Sequence, residues 1–123
     1  MAIDRHKMGE RHEEWLAEFF GGRQTRGSGN QWRDQMDGRT NRYDTAFAWA
    51  WDGKSTMAAS IKIDRPMLKK AVEQAGSERP MVAIRFYDDE RLRGYEDWMV
   101  VRGDDLLELQ ELAEKYLESS LDE

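Results

Sequence analysis

Between Asp4 and Phe20 the residues Met8, His12, Trp15, Leu16, Phe19 and Phe20 recur at intervals of three and four, and the run stops at Gly21-Gly22. That spacing predicts an amphipathic helix ended by glycine. From Gly21 to Asn41 the periodicity is lost. Gly, Arg, Gln, Asn and Asp dominate, with only Trp32 and Met36 apolar, which predicts a long loop or a short irregular strand. A loop of this length inside one domain commonly carries function. Thr45 to Trp51 then alternates strictly, with Phe47, Trp49 and Trp51 on one face and Ala46, Ala48 and Ala50 on the other, the period of a β-strand. Residues 57–63, around Ile61 and Ile63, predict a second strand. Asp64 is placed to cap a helix from Arg65-Pro66 through Ala75, ended by Gly76. Met81 to Tyr87 and Tyr95 to Val101 predict two further strands across the charged turn Asp88 to Gly94. Residues 104–118 repeat Leu106, Leu107, Leu109, Leu112 and Leu117 at helical spacing. The order implies an α/β fold with a mixed central sheet flanked by helices, in one domain spanning residues 1–123. There is no internal repeat or linker.

Composition narrows the class. Hydrophobic residues are 39% and charged residues 36% of the 123, yet five Trp, four Phe and four Tyr supply core-forming bulk. The absence of cysteine excludes disulfides, thiolate zinc sites and a cysteine nucleophile. The start Met1-Ala2-Ile3-Asp4-Arg5 lacks the apolar run of a signal peptide, and no stretch has the roughly 20 apolar residues of a membrane span. The expectation is a cytoplasmic protein with no membrane partner. The net charge of −6 argues against nucleic acid until its distribution is seen. Residues 104–123 hold eight acids and only Lys115, whereas residues 21–42 hold five Arg against two Asp, and residues 54–70 hold four Lys and one Arg against one Asp. Arg23, Arg26 and Arg33 in the first basic stretch, and Lys62 and Lys69 in the second, are candidate phosphate contacts.

Chemistry gathers at Asp52-Gly53-Lys54. In an extended chain residues i and i+2 share a face, so Asp52 and Lys54 project together on the Ala46, Ala48 and Ala50 side. Phosphodiester hydrolysis needs a hard cation, and Mg²⁺ takes carboxylate oxygens and waters. A lysine beside it orients water and stabilises phosphate charge. Upstream, Asp37 can supply a second carboxylate and Glu13, on the first helix, a third. Arg26-Gly27-Ser28-Gly29 is a tight turn whose N–H groups and hydroxyl can face a phosphate.

In its order of motifs the chain resembles the Holliday-junction resolvases of archaea and phages in the PD-(D/E)xK nuclease superfamily. The likeness is carried by Gly9-Glu10-Arg11-His12-Glu13, Gly27-Ser28-Gly29, Asp37 and Asp52-Gly53-Lys54, and covers most of residues 9–101. It is greatest to small actinobacteriophage proteins of this type, through the run Phe47 to Thr56, Ser60-Ile61, a helix like Met67 to Ala75, and Glu78-Arg79-Pro80-Met81. The resemblance implies a restriction-endonuclease-like core, with Asp37, Asp52 and Lys54 catalytic, Glu13 a further catalytic and metal-side acid, and Ser28 a substrate contact. It implies Mg²⁺, with Mn²⁺ as a substitute, held by Asp37, Asp52 and Glu13. It also implies branched DNA, above all the four-way junction, as substrate, and a homodimer that nicks two strands symmetrically. Asp52 departs from the commoner glutamate. Asp34 and Asp44 compete with Asp37 for the first position; the family's turn and strand before the tripeptide favour Asp37. Glu10 and Glu14 compete with Glu13.

Other residues read more plainly. His6 and His12 are too few for a zinc site and are expected at the surface or in the core. Ser60-Ile61-Lys62 lacks the carboxylate of a catalytic tripeptide, and Trp32 is a candidate for stacking on a base. Two further functions compete with the resolvase: a nuclease acting on linear or other DNA, and a non-catalytic DNA-binding protein on a nuclease scaffold.

Overall fold

The first helix forms where the apolar periodicity places it: α1 spans Arg5–Phe19 and buries Met8, His12 and Leu16 against a sheet. The computed structural model describes residues 5–20, 22–24, 36–40 and 47–121. Five strands follow in space as in sequence, β1 (Gly22–Gln24), β2 (Gly38–Thr40), β3 (Trp49–Thr56), β4 (Arg79–Tyr87) and β5 (Tyr95–Val101). Among the described residues only β3 and β4 run parallel; the other three pairings are antiparallel. A parallel pair needs a crossover, and α2 (Arg65–Ala75) supplies it. Asp64 caps that helix by accepting from the Met67 N–H at 3.0 Å, and Gly76, at φ 67°, ends it. The last helix, α3 (Gly103–Leu121), runs beyond both ends of the stretch 104–118 read from the sequence.

Side-chain alternation divides the sheet into two buried faces. Trp49, Trp51, Met81 and Ala83 pack with Leu16 and Trp15 of α1 and with Phe20 just after it. On the other face Ala50 meets Ala75, and Val82 and Ile84 meet Ala71 of α2. The result is an α/β domain whose mixed sheet is flanked by helices, as its residue pattern implies. Among the described residues no helix is long and apolar enough to cross a membrane.

Four expectations change. Residues 57–63 are not a strand: β3 itself runs on to Thr56, the chain bends at 57–59, and Ile61 and Ile63 reach the α2-side core from irregular backbone. The β3 strand starts at Trp49 rather than Thr45, and Phe47 is half-buried, with Arg79 stacked 3.7 Å over its ring. Asp52-Gly53-Lys54 therefore lies inside the strand, paired with Val82, Ala83 and Ile84, and not at its end. The polar stretch 21–41, read as a long loop or a short irregular strand, contains two short strands in place of one.

Each residue of β2 is fixed by a different contact, which is why so polar a tripeptide holds as a strand. Gly38 lies under the indole of the fully buried Trp51, its register partner, with no room for a Cβ. Arg39 donates to Glu78 Oε2 at 2.7 Å and to the carbonyls of Gln74 and Ala75 at 2.8 and 2.9 Å, clamping the end of α2. Thr40 Oγ1 accepts from the Trp49 N–H at 3.0 Å. Gly38→Ala is expected to cost about 1–3 kcal/mol through overpacking against a ring that cannot retreat. Gly53→Ala, whose Cβ would meet neighbours only at 3.5 Å or beyond, should change stability by less than about 1 kcal/mol. Urea denaturation of both variants checks the pair.

Candidate functional site

Just before β2 begins, Asp37 lies against β3. Its N–H donates to the Trp51 carbonyl at 2.9 Å, and its Oδ2 accepts from the Gly53 N–H at 2.7 Å. One residue thus takes up two main-chain groups of β3 that a longer β2 would have paired. This fixes the carboxylate beside the D-x-K tripeptide. The Asp52 carboxylate lies close enough to Asp37 to oppose its ionisation, and the Lys54 ammonium stands 3.4 Å from Asp52 Oδ2. Asp52 and Lys54 are partly exposed, so this group opens to solvent while Asp37 is more enclosed.

Gly53 completes the arrangement from behind. It faces His12 and Leu16 of α1 at ordinary contact distance, and α1 carries Glu13 to the same corner. Burial raises the Glu13 carboxyl above its ordinary range, helped by Asp52 and Glu10 and opposed by His6. Burial also pushes the Asp37 carboxyl up to about 7, with the adjoining Asp52 carboxylate and the charge of Glu13 acting in the same sense and the Gly53 N–H opposing. Two carboxylates in contact cannot both ionise cheaply without a cation.

The residues brought together are Asp37, Asp52 and Lys54, with Glu13 within electrostatic reach. Glu10 and Glu14 lie on exposed faces of α1. Asp34, Asp44, Arg26, Ser28, Arg33 and Trp32 lie outside the described residues, and Arg23 is described only as part of β1. Lys62 is exposed and stands 3.9 Å from Asp64, and Lys69 is exposed on α2; neither approaches the Asp37 corner in any contact seen here. Among the described residues no three His, Cys, Asp or Glu side chains converge closely enough to form a metal cage, so the three-acid set Asp37, Asp52 and Glu13 is not assembled as a closed site. The donors still suit a magnesium-type ion, which keeps several waters and binds through one or two carboxylates plus substrate phosphate.

His12 belongs to the core, buried to 1% exposure. Behind the candidate site it joins a polar network that sequence reasoning missed. Arg85 forms a bidentate pair with Asp97 at 2.8 and 2.9 Å, donates to Tyr87 Oη at 3.3 Å, and is stacked between Trp15 and Tyr95. His12 Nε2 lies 3.8 Å from Asp97 and has no hydrogen-bond partner among the described residues. Burial, then Arg85, lowers the His12 pKa to about 4, with Asp97 opposing. The period-two pattern of β4 and β5 could have placed Arg85 and Asp97 on the α1 face, but nothing local in the sequence pairs them.

No protein-family model, curated protein or solved structure matches the chain.

The two shifted groups have opposite effects on stability. Asp37 is raised, so its folded form binds a proton more readily than the unfolded chain, and stability falls as pH rises from near 4 to about 7. His12 is lowered, so stability falls as pH drops from 6.5 to about 4. Over the shared window the slopes oppose each other. Asp37→Asn should leave the His12 slope alone, making the variant lose stability on acidification below about pH 6.5 while the parent stays nearly flat, as read by urea midpoints across pH.

Proposed function

We propose that this chain is a metal-dependent DNA endonuclease of the PD-(D/E)xK type, acting on branched DNA as a two-fold homodimer, with the four-way junction as its substrate. The observation that carries the reading is the convergence of Asp37, Asp52 and Lys54 at the open edge of β3. Supporting it, Asp37 is held by two main-chain bonds to β3, a placement that fixes the acid before any ligand arrives. Such a protein would work in the cytoplasm, alongside the DNA it cuts.

Bound there, Mg²⁺ or Mn²⁺ would polarise the scissile phosphate and lower the pKa of a coordinated water. Asp37 and Asp52 would hold it, and Glu13 would reach it through an intervening water. The Asp37 proton must leave when a cation binds, so metal affinity rises with pH until about 7. Lys54 coordinates nothing, since an ammonium only donates. It balances the charge of Asp52 and, with 37% of its side chain exposed, can orient the attacking water and meet phosphate oxygens. The hydrogen-bonded Asp37 stays put while Lys54 is free to turn to substrate. Arg23, Arg26, Arg33, Lys62 and Lys69 would hold the DNA backbone by charge, with Ser28 as a further phosphate contact.

Asp52→Asn and Asp37→Asn are each expected to lower cleavage of a four-way junction by at least about a hundredfold, roughly 3 kcal/mol of transition-state stabilisation, while DNA binding survives. Lys54→Ala should abolish cutting and leave metal binding intact; Lys62→Ala should keep turnover. The assay compares junction, duplex and single-stranded DNA with Mg²⁺ and with chelator. Equal cutting of all three substrates would replace the junction by a broader nuclease substrate. No cutting of any DNA with Mg²⁺ or Mn²⁺ would end the enzyme reading.

A further inference from the structure

The α3 helix is amphipathic, and its apolar side is left exposed by the described residues. Leu106, Leu109, Leu112, Tyr116 and Leu117 line one side of it and are 41–73% exposed. Asp105 is its only buried residue. Ion pairs near its start attach it to the sheet: Arg102 to Asp105 at 2.9 Å, and Arg79 to Glu108 at 2.8 Å. Beyond these the helix continues for three more turns with its apolar side bare. A helix of this length is marginal in water by itself and gains its stability from packing of the apolar stripe.

The same chain carries an apolar groove. Leu68, Ala71 and Val72 of α2 face Val82 of β4 and Val100 of β5 across a shallow cleft of about 100 Å³. Leu68 and Val72 are one helical turn apart and 36 and 40% exposed, so the short α2 leaves this face of β5 partly uncovered. Two positions along β5, Trp98 is 57% exposed. By strand alternation it shares that face with Val100.

We infer that a second copy of this chain covers both surfaces: the α3 stripe of each protomer lies in the α2–β5 groove of the other. Charge favours this occupant. The α3 helix has six acids and one lysine, whereas α2 has Arg65, Lys69 and Lys70 against Glu73. Arg65 and Lys69 stand beside Leu68 and Val72 on the exposed side of α2. An acidic amphipathic helix therefore meets an apolar groove with a basic rim, the arrangement of helix-in-groove recognition. Each chain has one such helix and one such groove, so a two-fold axis satisfies both at once and the contact closes. The inference rests on the two-fold dimer of the resolvase reading and names its interface.

Sedimentation equilibrium at micromolar concentration should give about twice 14.5 kDa for the parent chain. Leu109→Glu with Leu112→Glu, on the exposed stripe, should give a monomer. Leu68→Glu with Val72→Glu, in the groove, should do the same. All three proteins should keep their far-ultraviolet circular dichroism, because the substituted side chains are exposed. A monomeric parent, or a dimer that persists in the α3 variant, overturns the proposal. A groove variant that stays dimeric while the α3 variant does not also overturns it, in favour of direct helix–helix pairing. Junction cleavage on the same samples separates the two readings. A dimer with this interface that cuts no DNA defeats the nuclease alone, and a monomeric parent that cuts junctions defeats the interface and the two-fold dimer while leaving the nuclease standing.

Discussion

The hydrogen bond from the Gly53 N–H to Asp37 Oδ2, 2.7 Å long, is the contact on which the rest of the candidate site depends. Among the described residues β2 pairs only with Ala50 and Trp51 of β3, and Asp37 meets the main chain of β3 beyond that pairing. A buried N–H needs an acceptor, and a carboxylate gives a short, charge-assisted one. That requirement draws an acid into a half-buried position next to Asp52, where burial and the second carboxylate both resist its ionisation. The strand edge and the electrostatics of the acid pair have one origin.

Holding β2 in place falls to residues far apart in the chain. The Arg39 clamp on Glu78 and the last carbonyls of α2 links the acid-bearing edge to the crossover helix, and the Trp51 ring over Gly38 links it to the core. Removing Arg39 would leave Glu78, only 7% exposed, without that charge partner, and a buried charge stranded in this way is costly. The Arg85–Asp97 pair plays a comparable part behind the site, carrying charge through the α1 face where His12 packs neutral beside Gly53. The sheet thus has a site edge backed by polar networks and an opposite margin, at β5 and α3, with apolar surface left to cover.

Much of this was legible in the residue pattern. Periodicity of three and four located α1, α2 and α3 to within a few residues, since an amphipathic stripe is written directly in the chain. Alternation located β4 and β5, and it set Asp52 and Lys54 on one side of the strand through Trp49 and Trp51. The failures share a cause. The apolar residues Ile61 and Ile63 suggested a strand, but a core can be filled from irregular backbone, and the strand hydrogen bonds had already been taken by a longer β3. The polar tripeptide Gly38-Arg39-Thr40 gave no strand signal because none of its stabilising contacts is local.

The sequence by itself determined which residues form helices, which faces are apolar, and that one acid and one lysine must project together at Asp52 and Lys54, because these follow from the fixed periods of helix and strand. Only the tertiary structure decided that Asp37 meets Asp52, that Arg85 finds Asp97, and that Arg39 closes on the end of α2. Such pairings join residues from different elements, and their register is set by packing and by the search of buried polar groups for partners, neither of which is encoded in local spacing.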